Sequence, residues 1–156
     1  MRIWRITTAE HDAFDGEGAR RYGSRWTPKG VAVVYASATL SLAALERFVH
    51  TDPDLEPLNL VAVPVDADGI PIESLHAADL PADWRTYPAP ESLARLGAEW
   101  VSTARTALLA VPSAVIPHEP NYLLNPDHPD CGRLVMGPAE PFGFDPRMWG
   151  KRRPTY

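Results

Sequence analysis

Arg25, Tyr35, Glu46 and Ser113 are the side chains whose type and position suit chemistry best. Arg25 lies in Gly23-Ser24-Arg25-Trp26, just before the apolar run at residues 31–36. A guanidinium in a glycine-started loop beside a sheet can hold a phosphate or carboxylate by two parallel hydrogen bonds, and Trp26 could cover a flat ring. The same pattern also fits a surface arginine next to a core tryptophan. Tyr35 ends the apolar run, either packed in the core with its hydroxyl satisfied or serving as a stacking platform. Glu46 falls at the border of a helical apolar arc, in a narrow stripe with Ala43, Arg47 and His50. There it either pairs locally with His50 on a solvated face or lines a cleft. A carboxylate in a cleft would bind ribose hydroxyls and favour a developing positive charge. Ser113 follows the apolar residues 107–111, so its hydroxyl emerges at a strand end. With no G-x-S-x-G elbow around it, a hydrogen bond to a ligand or to a turn is expected there rather than a hydrolase nucleophile.

Ser113 opens the most proline-dense stretch of the chain, VPSAVIPHEPNYLLNPDHPD at residues 111–130. Proline fixes φ and removes a donor, so this segment is expected to form short extended pieces and turns, not one helix or an inner strand. Its His118, Glu119, His128, Asp130 and Cys131 include metal-ligand types, but the spacing matches no compact zinc or calcium pattern, and no metal site is expected. Asn125, Pro126 and Asp127 read as turn formers, with His128 as further turn scaffolding.

The elements that must position these residues follow from periodicity. Residues 2–7 alternate as a first strand, and residues 10–23 read as a polar, glycine-bearing loop. The run at 31–36 predicts a strand buried on both faces. Ser37 or Thr39 can cap a helix reaching about His50. Residues 58–65 predict a strand and 66–69 a turn. Residues 70–90 form a proline-punctuated connection with a short helix near Ser74. A helix at 90–105, strands at 107–111 and 133–136, an edge piece at 141–149 and a basic, flexible tail at 150–156 complete the chain. The irregular mixture indicates a single α+β domain rather than a regular βαβ series.

Composition narrows the function. A net charge of −5 and a pI near 5.5 disfavour direct binding to nucleic acid, and with it an electrostatically driven nuclease. The 13 arginines against 2 lysines fit fork-shaped anion recognition at some positions and genome bias at most. One cysteine, Cys131, allows no intramolecular disulfide and fits a reducing compartment. No apolar run is long enough for a signal peptide or a bilayer span, so the protein is placed in the cytoplasm.

Across residues 3–148 the chain resembles the RES-domain family, the toxin half of bacterial RES–Xre toxin–antitoxin pairs. The resemblance rests on Trp4-Arg5-Ile6, Gly23-Ser24-Arg25-Trp26, Val34-Tyr35-Ala36-Ser37, Ala44-Leu45-Glu46 with His50, Leu96-Gly97-Ala98-Glu99-Trp100, Val111-Pro112-Ser113-Ala114-Val115, Asn121-Tyr122-Leu123-Leu124-Asn125-Pro126 with His128-Pro129, and Phe144-Asp145-Pro146-Arg147. The family's named arginine, glutamate and serine correspond to Arg25, Glu46 and Ser113. The sequence departs from the family pattern at Thr27, where asparagine is expected, and at Ser24, a place often taken by glycine.

The resemblance implies an ADP-ribosyltransferase-like fold, a bent β core split around a central NAD cleft and flanked by helices, with residues 1–149 as the domain. It implies cleavage of NAD by hydrolysis or phosphorolysis, or ADP-ribosylation of a host protein, with NAD as substrate and no resident cofactor. Arg25 and Glu46 would be catalytic. Arg5, Arg25, Tyr35, Ser37, Glu46 and Ser113 would bind NAD, Arg25 at the pyrophosphate or adjacent ribose, Tyr35 on the nicotinamide ring and Ser113 by hydrogen bonding. An Xre-type antitoxin would cover the cleft mouth in a hetero-oligomer containing toxin dimers. A non-catalytic binding module of the same fold is the alternative of a different class.

Overall fold

The computed structural model describes residues 1–11, 14–52, 55 and 57–148. The elements are β1 (Arg2–Thr8), α1 (Glu17–Tyr22), β2 (Val34–Ser37), α2 (Leu40–Val49), β3 (Leu60–Asp66), β4 (Ile72–Ser74), α3 (Glu91–Thr103), β5 (Leu108–Pro112), β6 (Pro120–Leu124), β7 (Val135–Met136) and β8 (Glu140–Phe142). They form one mixed α+β domain around a sheet in the order β4-β5-β6-β2-β1-β3-β7, with β8 also on β3. Only the β4–β5 pair is parallel. Among the described residues, no helix is long and apolar enough to cross a membrane.

The period of two along the central strands explains their continuous apolar character, because each face of the sheet carries its own core. Val34, Ala36, Leu108, Tyr122 and Leu124 point to one core with Ile3 and Val65. Leu109, Val111 and Leu123 point to the other, which α3 covers with Leu93 and Trp100. The indole of Trp100 donates to Thr106 Oγ1 at 3.0 Å, so its polar edge is satisfied.

The sheet parts between β1 and β2. All seven residues of β1 are in register with β3, but only Trp4↔Ser37 links β1 to β2. β2 instead runs its whole length along β6. The split core is therefore a consequence of pairing, and the cavity described below opens at this divergence.

Several expectations need correction. Residues expected as loop contain α1, a short helix held by Glu17, which binds Arg20 and Arg21 at 2.7 Å each. Gly16 precedes it at φ 70° with its Cα against Val33, where an added Cβ would lie 2.6 Å from the Val33 amide. β2 begins at Val34 rather than residue 31, because residues 28–31 close a turn through Pro28 and Gly30. Ser74 ends strand β4, and the helical turn lies later, at Ala77–Asp79.

The proline-rich segment does supply an inner strand, since β6 lies between β5 and β2. It tolerates its prolines because Pro112 and Pro120 face each other at the end of the β5–β6 ladder. The strand expected at 133–136 shortens to β7 after the 3-10 turn Pro129–Arg133. The edge piece at 141–149 is β8 followed by the turn Pro146–Met148, while Trp149 and the tail at 150–156 lie outside the described residues.

Candidate active site

A cavity of about 750 Å³ opens where β1 and β2 diverge, within the size range of small-molecule sites. β1 contributes Arg5, β2 contributes Tyr35 and Ser37, the loop after α1 contributes Ser24 and Arg25, and α2 contributes Glu46. The stripe Ala43, Glu46, Arg47 and His50 lines this cavity along its length. Helical spacing alone allows either solvent or a cleft for this stripe, and the cleft prevails because α2 packs against β1 and β2. No Glu46–His50 hydrogen bond forms.

Glu46 is held by a directional network. Ser37 Oγ donates to Asn121 Oδ1 at 2.7 Å, which turns the amide so that Nδ2 donates to Glu46 Oε1 at 2.6 Å. Ser113 Oγ accepts from the backbone amides of Val115 (3.1 Å) and Ile116 (2.9 Å). Its own proton then goes to Glu46 Oε1 at 2.6 Å. Both donors meet the same oxygen, and Oε2 carries no hydrogen bond among the described residues. The network thus presents a carboxylate of fixed orientation with one oxygen unused.

Of the two partners expected for Ser113, a ligand or a turn, the structure shows the turn, through the Val115 and Ile116 amides. Ser113 is wholly buried and does not line the cavity, so its hydroxyl acts on the cleft through Glu46. Ser37 is also buried and donates to Asn121, although it does border the cavity. Asn121, 9% exposed, is the member that the sequence reading did not single out. Its signal lies in the period of β6, which puts it beside Leu123 and opposite Tyr122 and Leu124, in register with Ser37. A nearly buried amide on an inner strand requires partners.

Arg25 is tied to the cavity's outer loop. Its Nη1 donates to the carbonyls of Trp84 (2.7 Å) and Thr86 (3.1 Å), and Arg85 in turn donates to the Ala114 carbonyl through Nε (3.2 Å) and Nη2 (3.1 Å). Burial lowers the pKa of the Arg25 guanidinium, while the charges of Glu46 and then Tyr35 oppose that shift. Arg25 and Glu46 share the cavity without forming an ion pair. Trp26 is 2% exposed in the second core, which favours its core reading over a ligand cover.

The Tyr35 hydroxyl hydrogen-bonds Ser24 Oγ, and burial pushes its pKa up to about 12, so the phenol stays protonated. Its ring borders the cavity while its hydroxyl anchors the Arg25 loop. Ser24 Oγ also meets Thr27 Oγ1 at 2.8 Å. The two departures from the family pattern are therefore bonded to each other. Gly97 seats this loop, because a Cβ there would fall 1.7 Å from the Trp26 carbonyl oxygen.

Arg5 Nη1 donates across the split to the Tyr35 carbonyl at 3.2 Å, and its guanidinium lies 5.6 Å from the centre of the Phe14 ring. The metal-ligand types in the proline-rich segment do not gather. Glu119 accepts from Thr39 at 3.2 Å, His128 Nδ1 accepts from the Asp130 amide at 3.1 Å, and Cys131 donates to the Asn125 carbonyl at 2.7 Å. Among the described residues, no group of three or more His, Cys, Asp or Glu could hold a metal ion.

A family model described as the RES domain matches residues 2–145. The chain belongs to the RES-domain family. This RES domain is 39% identical over 156 residues to the Prs ADP-ribosylating toxin of a Sphingobium strain, covering 94% of this chain and 95% of the relative. It is 35% identical over 154 residues to the Toxin Res of Yersinia enterocolitica, covering 95% and 99% of the two chains. Its fold matches a chain of the M. tuberculosis MbcT–MbcA toxin–antitoxin complex with a TM-score of 0.70 at 18% identity, over 91% of this chain and 84% of the other.

Proposed function

We propose that this RES domain is the toxin of a toxin–antitoxin pair and cleaves the nicotinamide–ribose bond of NAD, passing the ADP-ribosyl group to water or inorganic phosphate. The observation that carries this reading is Glu46. One of its oxygens is clamped by Ser113 and Asn121, the other carries no hydrogen bond among the described residues, and Glu46 lines a cavity that Arg5, Arg25 and Arg47 also line. A fixed carboxylate beside cationic groups suits a substrate that is anionic at its phosphates and becomes cationic at its ribose.

The bond from ribose C1′ to the pyridinium nitrogen breaks, and its electron pair leaves with nicotinamide, which departs neutral. The ribose passes through an oxocarbenium-like state that the Glu46 carboxylate stabilises at the ribose hydroxyls. An oxygen of water or phosphate then bonds to C1′ and gives up its proton. Arg25 holds the phosphate-bearing part of the substrate, and Tyr35 offers its ring to the nicotinamide. Ser37, Asn121 and Ser113 keep Glu46 in place. NAD is the substrate in this scheme, and no resident cofactor takes part.

A second reading is transfer of the same ADP-ribosyl group to a protein side chain, and the Sphingobium relative named as an ADP-ribosylating toxin favours it. The exposed Tyr22 and Tyr87 at the cavity mouth suit an Xre-type antitoxin covering it, in a cytoplasmic hetero-oligomer with toxin dimers. NAD labelled in its adenylate half separates the outcomes: free labelled ADP-ribose or its phosphate supports degradation, whereas label on a protein band supports transfer. If the label stays in intact NAD under every condition, the domain is a binding module.

A further inference from the structure

The scheme above gives Arg47 only its charge and no contact, yet its position leaves a buried donor unpaired. It lines the cavity one residue beyond Glu46, and its Nε is buried without a hydrogen-bond partner. Its guanidinium makes no hydrogen bond or ion pair among the described residues. Arg5 enters the same cavity from β1, and its Nε is likewise buried and unpartnered. These two Nε atoms are the buried side-chain polar atoms left without a partner among the described residues.

Buried N–H groups normally find acceptors, and like charges brought together repel. The two arginines do interact: burial lowers the pKa of Arg5, the charge of Asp15 opposes that shift, and the charge of Arg47 adds to it. Glu46 is the one acidic residue lining the cavity; Ser113 and Asn121 hold its Oε1, and its free Oε2 forms no ion pair with Arg47. Among the described residues, nothing accepts from the Arg47 guanidinium. An acceptor with negative charge and several oxygens would serve both guanidinium groups at once, and a phosphate group meets that description.

We infer that Arg5 and Arg47 form an oxyanion subsite for one phosphate group, with Arg47 binding the ligand rather than supporting the fold. This rests on the NAD reading for its choice of substrate, but not for its anion chemistry. The phosphate comes either from the pyrophosphate of the dinucleotide or from inorganic phosphate acting as acceptor.

The test uses the full chain as wild type, Arg47→Met and Arg47→Lys. Calorimetry with inorganic pyrophosphate and with inorganic phosphate reads the subsite without any reaction. Wild type is expected to bind, and Arg47→Met to bind roughly 10- to 100-fold more weakly, with Arg47→Lys between them. Because Arg47→Met removes an unsatisfied buried donor, its melting temperature should equal or exceed that of wild type. Nicotinamide release then separates the sources. If the subsite takes the substrate's pyrophosphate, Arg47→Met loses activity on NAD but not on nicotinamide riboside, which has no pyrophosphate. If it takes inorganic phosphate, the variant loses only the acceleration that added phosphate gives.

Unchanged pyrophosphate and phosphate binding in Arg47→Met overturns the subsite. So does a clearly lowered melting temperature, which would make Arg47 a structural residue. If wild type cleaves no NAD yet binds pyrophosphate in an Arg47-dependent way, the NAD reading fails and the subsite stands.

Discussion

Ser113→Ala separates two roles that the same residue could play. The substitution removes a donor from Glu46 Oε1 at 2.6 Å and the acceptor of the Val115 and Ile116 amides at 3.1 and 2.9 Å. A hydrogen bond to an ionised group contributes about 1.5–3 kcal/mol, and each half-buried amide left behind about 1 kcal/mol less what water restores. A net loss of about 3 kcal/mol is expected, or roughly 6–12 °C in melting temperature for a chain of this size. Asn121 still holds Glu46, so the carboxylate is loosened rather than lost. The kcat for nicotinamide release should fall roughly 10- to 100-fold with little change in KM, because the fault lies in how the transition state is met. Urea denaturation of Ser113→Ala, Glu46→Ala and the double variant should return a coupling of about 1.5–3 kcal/mol. A rise in KM with kcat preserved would mean that Ser113 touches the ligand directly. A coupling near zero would remove the clamp from the account.

Gly97→Ala should be among the most damaging single-methyl changes in the chain, since the new Cβ would meet the Trp26 carbonyl oxygen at 1.7 Å. A loss of roughly 3 kcal/mol or more is expected from thermal melts, with weaker NAD binding because the Arg25 loop must move away from α3. Alkaline stability should fall in two stages. Burial raises the Cys131 thiol from an ordinary 9.0 to about 11 and the Tyr35 phenol from 10.0 to about 12. The unfolded chain therefore loses each proton first, and stability declines from pH 9 to 11 and from pH 10 to 12. Cys131→Ala should flatten the earlier part of that decline in a pH series of urea melts, and an unchanged slope would contradict the thiol's assignment.

The site was legible where local periodicity carries information. The spacing of Ala43, Glu46, Arg47 and His50 groups them on one helix face without deciding between solvent and cleft, and the apolar run before Ser37 marks an inner strand. What stayed hidden depends on distant partners. Arg25 finds the carbonyls of Trp84 and Thr86 some sixty residues away, a pairing that neither segment announces. Ser113 read correctly as a hydroxyl at the end of a strand, but its direction is set by the turn amides behind it and by Glu46 on another element. The number of prolines in residues 111–130 argues against an inner strand, whereas the place of Pro112 and Pro120 at the end of the β5–β6 ladder is set by pairing that the sequence does not display. α1 escaped notice because three charged side chains and Gly16, rather than an apolar stripe, hold its short span.

The central claim is that Glu46 drives cleavage of the nicotinamide–ribose bond. Glu46→Gln keeps the side chain's size and an oxygen to accept from Asn121 or Ser113, but it removes the charge that meets the cationic ribose. Purified wild type and Glu46→Gln should therefore be compared for nicotinamide release from NAD by chromatography, with NAD binding measured alongside. The account predicts release by wild type, a fall of roughly a hundredfold or more in Glu46→Gln, and NAD affinity that changes little. Release at near wild-type rate from Glu46→Gln would contradict it.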